Sequence, residues 1–243
     1  MENTPRLIMA AGFAFLSGYT DMICYTRHQS MSVMMTGNML MAGCQMADAH
    51  LIDVLYYVLI ILCFMVGAAS YRVVEAKFPG SGATRLAWAA VLLVAVAEAL
   101  DYATDGCKWL VCFLSPIFGV LNTVSTGNVI SATTTMATGH FLSISGLAAT
   151  AYLKGGISDQ DYDKAKMSGV VIASIILGII IGDLVEDSVG KEKHFLFVPV
   201  APAVAALFIW HDRLARLSMQ APMSSSESES ESEALEANQN GPK

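Results

Sequence analysis

The chain has 243 residues, of which 54% are apolar and only 14% charged, with a formal net charge of −7. Soluble domains carry roughly a quarter charged residues, whereas here the charges gather in short stretches between long apolar blocks. That distribution excludes a soluble globule, because helices that are apolar all round must face lipid or protein on every side.

The first apolar block covers about 7–25. It follows Arg6, lacks a clear small-residue cleavage site and runs into Asp21, so it reads as a retained span and not as a cleaved leader. It ends in GYTD (Gly18 to Asp21), followed by a polar break and then MTGN (Met35 to Asn38). A short apolar helix is expected behind it, Met39 to Ala47, and two longer apolar segments follow near 52–71 and 86–104. The order then recurs. A segment near 109–124 carries GVLN (Gly119 to Asn122), a break runs from Ser125 to Asn128, and ATGH (Ala137 to His140) precedes a second short helix, Phe141 to Tyr152. Two further segments lie near 168–185 and 195–210. A bilayer core about 30 Å thick takes roughly 20 helical residues, so most of the longer segments are long enough to span.

The recurrence predicts a duplicated unit, repeat one over about 7–104 and repeat two over about 107–212, within a polytopic membrane domain over 1–217. Lysine and arginine placement bears on whether the short helices cross. If both cross, there are about eight spans, and Arg72, Lys77 and Arg85 lie opposite Lys154, Lys164, Lys166, Arg213 and Arg216. If both are re-entrant, about six spans remain, and those eight residues share one face with Arg6, leaving Arg27, Lys108, Lys191 and Lys193 opposite. Cytoplasmic loops are enriched in Lys and Arg, which favours the second arrangement with both termini cytoplasmic. The expected fold is therefore an all-α integral membrane protein with two short re-entrant helices and inverted repeats, eight spans being the alternative.

The tail differs in kind. Residues 218–243 are polar and acidic, and Ser224 to Glu233 reads SSSESESESE, a composition that does not order itself. A disordered cytoplasmic tail is expected, with Ser224, Ser226, Ser228 and Ser230 as phosphorylation candidates because each has a Glu three residues later. The same spacing arises in any alternating Ser/Glu run.

GYTD, MTGN, GVLN and the TTTMATGH stretch ending at His140 resemble the YoaK-like family of multi-pass membrane proteins of unknown function. The resemblance covers about 7–210 and implies a polytopic membrane location. The chain departs from the family pattern at Leu121, where Gln is usual, and at His140, where Thr or Asn is commoner.

Candidate site residues follow from cost. A carboxylate inside an apolar span is expensive unless it faces a cavity or a partner, so Asp21 is a candidate proton or cation site, with Asn122 at the matching place. The other reading has Asp21 simply reaching the headgroups. Thr36, Gly37, Asn38 and Thr138, Gly139, His140 stand at the starts of the short helices, where free N–H groups and a partial positive charge favour an anion or a carboxylate-bearing solute. They serve equally as ordinary caps and close-packing positions. His140 is suited to proton transfer or to hydrogen-bonded packing. Methionines crowd the first motif, Met31, Met34, Met35 and Met39 among them; thioethers suit Cu(I), and they also pack irregular gaps. Gly178 and Gly182 form a GxxxG pair, a close-packing face toward either this chain or a second copy.

No P-loop, dinucleotide glycine fingerprint, HExxH or GxSxG is present, and no basic stripe suggests nucleic acid. The chain is expected not to be an enzyme and to need no cofactor or metal. Its expected partners are the bilayer, a small solute or ion, and a second copy of itself. The leading function is secondary transport or channel-like passage of a small solute or ion. The alternative is a non-transporting scaffold or signalling protein with a phosphorylatable tail.

Overall fold

The computed structural model describes residues 3–127, 129–154, 156, 158–189 and 194–217. The tail, with its serine candidates, lies outside the described residues, as do Lys191 and Lys193. Helices make up the fold: α1 (Asn3–His28), α2 (Met35–Ala47), α3 (Leu51–Lys77), α4 (Gly82–Thr104), α5 (Val111–Thr126, entered through a 3-10 turn at Lys108–Leu110), α6 (Ala137–Lys154), α7 (Asp159–Val189) and α8 (200–217). No strand occurs among the described residues.

Among the described residues, five helical stretches are long and apolar enough to cross a membrane, those of α1, α3, α4, α5 with its leading turn, and α7. This makes the chain an integral membrane protein. The eighth helix covers most of the expected 195–210 segment but continues into Asp212, Arg213 and Arg216. The two central helices, α1 and α5, are 67% and 72% buried over their apolar windows, against 28% for α3 and α7. Leu51, Leu55, Leu62, Met65, Trp88 and Leu184 are among the large side chains left exposed. Such a belt on many turns of several helices is what lipid, and not water, solvates.

Three helix starts differ from expectation in a way that bears on the breaks. The short helices begin before their Thr-Gly pairs, at Met35 and Ala137. The helix expected over 168–185 begins at Asp159, where the Ser158 hydroxyl accepts from Asp161 N (3.2 Å) and donates to its carboxylate (2.8 Å), a cap that extends the helix through a charged turn.

Helix contacts define the packing. Gly178 of α7 lies so near α1 that an added Cβ would come within 2.2 Å of Phe15 O, and Gly18 of α1 is as close to Ile175 O (2.3 Å). The pair α3 and α5 repeats this contact: Gly67 faces Pro116 O (2.0 Å) and Gly119 faces Phe64 O (2.1 Å). Gly182 also packs on α1, beside Tyr19 and Met22, so the GxxxG face is used within the chain. Between α4 and α8 the contact is reciprocal. Glu98 of α4 accepts from Phe195 N (2.7 Å) and from Phe197 N ahead of α8, while Asp212 of α8 accepts from Thr84 N (2.6 Å) in the first turn of α4. Each carboxylate satisfies amides that a helix start leaves open.

Polar contacts sort the helix ends into two groups. At one end, Tyr57 Oη donates to Gln29 O (3.0 Å), the hydroxyls of Ser30 and Tyr56 lie 2.7 Å apart, and Lys108 pairs with Asp53. Arg27 with Glu186 (3.7 Å) and Asp101 with His194 (2.8 Å) belong to the same end. At the other, Arg6 Nε donates to Ile130 O (2.6 Å), and Asp212 meets α4. There Glu75 accepts from Gly80 N (2.7 Å) and Gly82 N (2.9 Å), closing the α3–α4 turn, in which Gly80 takes the left-handed φ of 70°.

Candidate functional site

The chain after α1 does not continue outward. Gln29 takes a left-handed φ of 52° with its amide on Tyr25 O (2.9 Å), and the backbone doubles back along α1. Val33 and Met34 thereby reach Asp21, roughly two helical turns short of the end of α1. The Asp21 carboxylate is buried and accepts three bonds, from Ser32 Oγ (3.2 Å), Val33 N (2.8 Å) and Met34 N (3.0 Å). These donors stand at the entry to α2, so the acid serves as an N-terminal cap supplied from a neighbouring helix. From there α2, about 20 Å long, returns alongside α3 to the turn at Asp48–His50. Asn38, fully buried, braces the loop: its Oδ1 accepts from Met31 N (2.9 Å) and its Nδ2 donates to Met31 O (2.6 Å).

The second break copies this geometry with other side chains. Ser131 takes the same φ of 52°, and its amide bonds Gly127 O (2.8 Å) as Gln29 bonds Tyr25. Asn122 on α5 accepts from Thr135 Oγ1 (2.6 Å) through Oδ1. His140, in the place of Asn38, lies 2.7 Å by Nε2 from Thr133 O and 3.1 Å by Nδ1 from the buried Ser168 hydroxyl. A ring that donates from Nε2 to the carbonyl is free to accept at Nδ1 from Ser168, so the neutral imidazole satisfies both bonds.

The remaining candidates do not converge. Thr36 and Thr138 are exposed, and α2 begins without a side-chain cap from its own first residues. Gly37 is covered by Met31, whose Sδ would meet an added Cβ at 2.5 Å, whereas Gly139 faces open space. Asp21 and Asn122 are each engaged by their own break and not by one another.

Beside the first turn of α6 a cavity of about 580 Å³ opens, lined in part by Gly139 and His140 and by Arg6, Lys164, Lys166 and Asp163. Sequence reasoning singled out Gly139 and His140 here but not the basic side chains, which come from α1 and α7 and carry no motif. It likewise passed over Ser32 and Asp212; Glu98 stands out in the sequence as an acid deep within its span, but its bonds to the amides of Phe195 and Phe197 do not.

No curated protein and no solved structure matches the chain. One family profile does, over residues 9–209, in keeping with the YoaK-like resemblance carried by GYTD and MTGN, and the chain belongs to that family, described as a protein of unknown function (DUF1275).

Proposed function

We propose that the chain is a secondary transporter or channel-like protein for a small solute or ion, built from two inverted repeats with six spans and two re-entrant helices. The observation that carries this reading is the matched pair of breaks. On each of the two most buried helices, a polar residue (Asp21 or Asn122) ties down the start of a short helix inside the bundle. Interrupted backbone at membrane depth is tolerated only where protein or a water-filled cavity satisfies it, and transporters place solute sites at such paired interruptions.

The span count draws support from the helix ends. α1 ends where α3 starts, at Gln29 and Tyr57, so α2 returns to the end from which its loop came. α3, α4 and α5 then alternate in direction, which turns α5 over relative to α1. Under this topology Arg6, Arg72, Lys77, Arg85, Lys154, Lys164, Lys166, Arg213 and Arg216 share one end, and Arg27 and Lys108 the other. The first end is cytoplasmic by the positive-inside rule.

Uptake into proteoliposomes tests the reading. Solute-specific uptake by wild type is lost in Gly37→Leu and in Asn122→Leu while both variants remain monodisperse. Uptake equal to wild type in both, or none above empty liposomes across a panel of small ions and solutes, removes transport and leaves a scaffold role.

A further inference from the structure

The two breaks share a backbone but differ in chemistry. In the first half, the start of α2 is neutralised by the Asp21 carboxylate, and the space over Gly37 is filled by Met31. In the second half, the corresponding Asn122 offers a single acceptor oxygen, which Thr135 occupies. The hydroxyl of Thr134, in the place of Ser32, is fully buried and has no hydrogen-bond partner among the described residues. Thr133 stands where the first half has Met31, and the space beside Gly139 is open. An acid and a plug at one helix start are thus replaced by an amide and a cavity at the other.

The cavity completes the contrast. Arg6, Lys164 and Lys166 line it against one acid, Asp163. Arg6 is held in place, because its Nε donates to Ile130 O at 2.6 Å and so fixes the guanidinium plane at the wall. Lys164 pairs with Asp161 at 3.7 Å, but the pair is exposed and screened by water, so it leaves most of the lysine's charge available. The first turn of a helix adds a partial positive charge from the same side.

We propose that this cavity binds a small oxyanion, a carboxylate or phosphate group, between Arg6, Lys164, Lys166 and the start of α6. Binding stands on this geometry alone; its role as the substrate site of a transporter rests on the function proposed above. A free solute and the headgroup of an anionic phospholipid present the same chemistry, and the test separates them.

The full chain, purified in a neutral maltoside detergent and stripped of lipid, is heated with inorganic phosphate or acetate at ionic strength matched by sodium chloride. Phosphate or acetate is expected to raise the unfolding midpoint saturably. The double variant Lys164→Gln with Lys166→Gln weakens the apparent affinity roughly tenfold, the scale of a lost charge-assisted bond. Gly139→Leu, whose side chain enters the open space, abolishes the response. Added phosphatidylglycerol that gives the same shift, in competition with phosphate, identifies a headgroup as the source; a phosphate response indifferent to the lipid identifies a free solute. No saturable shift beyond chloride with any of these probes overturns the proposal, as does a shift that both variants retain. Saturable binding without uptake in proteoliposomes refutes transport alone, and uptake without binding refutes this site alone.

Discussion

Replacing Asp21 by Asn tests whether one buried carboxylate holds the first break in place. The carboxylate accepts from Ser32 Oγ, Val33 N and Met34 N. Asn presents one acceptor oxygen to those donors and turns an NH2 group toward the rest, so at least one backbone amide loses its partner. Ser32 and Val33 share Oδ1 and Met34 takes Oδ2, so Asn loses one or two of the three bonds; at about 1.5–3 kcal/mol for each bond to a charged group, the cost is on the order of 1.5–6 kcal/mol. For a chain of this size about 1 kcal/mol moves the midpoint by about 2–4 °C, which places the Asp21→Asn midpoint roughly 10 °C below wild type. Asn122→Ala is the internal control. It removes one neutral bond, from Thr135, and is expected to cost about 1 kcal/mol. The assay is thermal unfolding in detergent, with amide hydrogen exchange read over 33–36. A midpoint for Asp21→Asn within about 2 °C of wild type, or unchanged exchange in that segment, refutes the clamp.

Other expectations follow from the contacts. Gly67→Ala and Gly178→Ala each drive a methyl against a backbone carbonyl, at 2.0 and 2.2 Å, and are expected to destabilise by about 1–3 kcal/mol or more in thermal unfolding. Gly43→Ala, with open space around it, is expected to leave the midpoint unchanged or raise it slightly. Glu98→Gln and Asp212→Asn are expected to lower the midpoint and to speed exchange at the opposite helix start, at 195–197 and at Thr84 respectively; exchange that rises evenly along the chain contradicts the reciprocal clamp. In a background without other cysteines, Ser81→Cys is expected to label from the cytoplasm and Ala49→Cys from outside; labelling of Ser81→Cys from outside rules out six spans in favour of eight.

The candidate site was legible where its cost showed locally. Asp21 stands out because a carboxylate in an apolar run demands a reason, and the reason is the start of α2. Asn38 and His140 stand out by position, and both brace the loop before them through the backbone seven residues earlier. Thr36 and Thr138 occupy the expected helix starts yet remain exposed; at α2 the amides ahead of the helix are taken by a side chain from another helix. Nothing in local order reveals that substitution. Of the cavity only Gly139 and His140 were legible: Arg6 and Lys164 are far apart in sequence and come to one wall only because α1 and α7 run side by side.

By itself the order of residues determined the membrane location, the helical class, the places where helices break and the recurrence of those breaks, since all are set by hydropathy and by residues within a few positions of each other. Which glycines touch which carbonyls, which acids cap which helix starts, and why one break is plugged while its counterpart opens on three cationic side chains were decided only by tertiary packing. Those are contacts between helices whose pairing depends on complementary surfaces, and a surface exists only once the helices have formed and met.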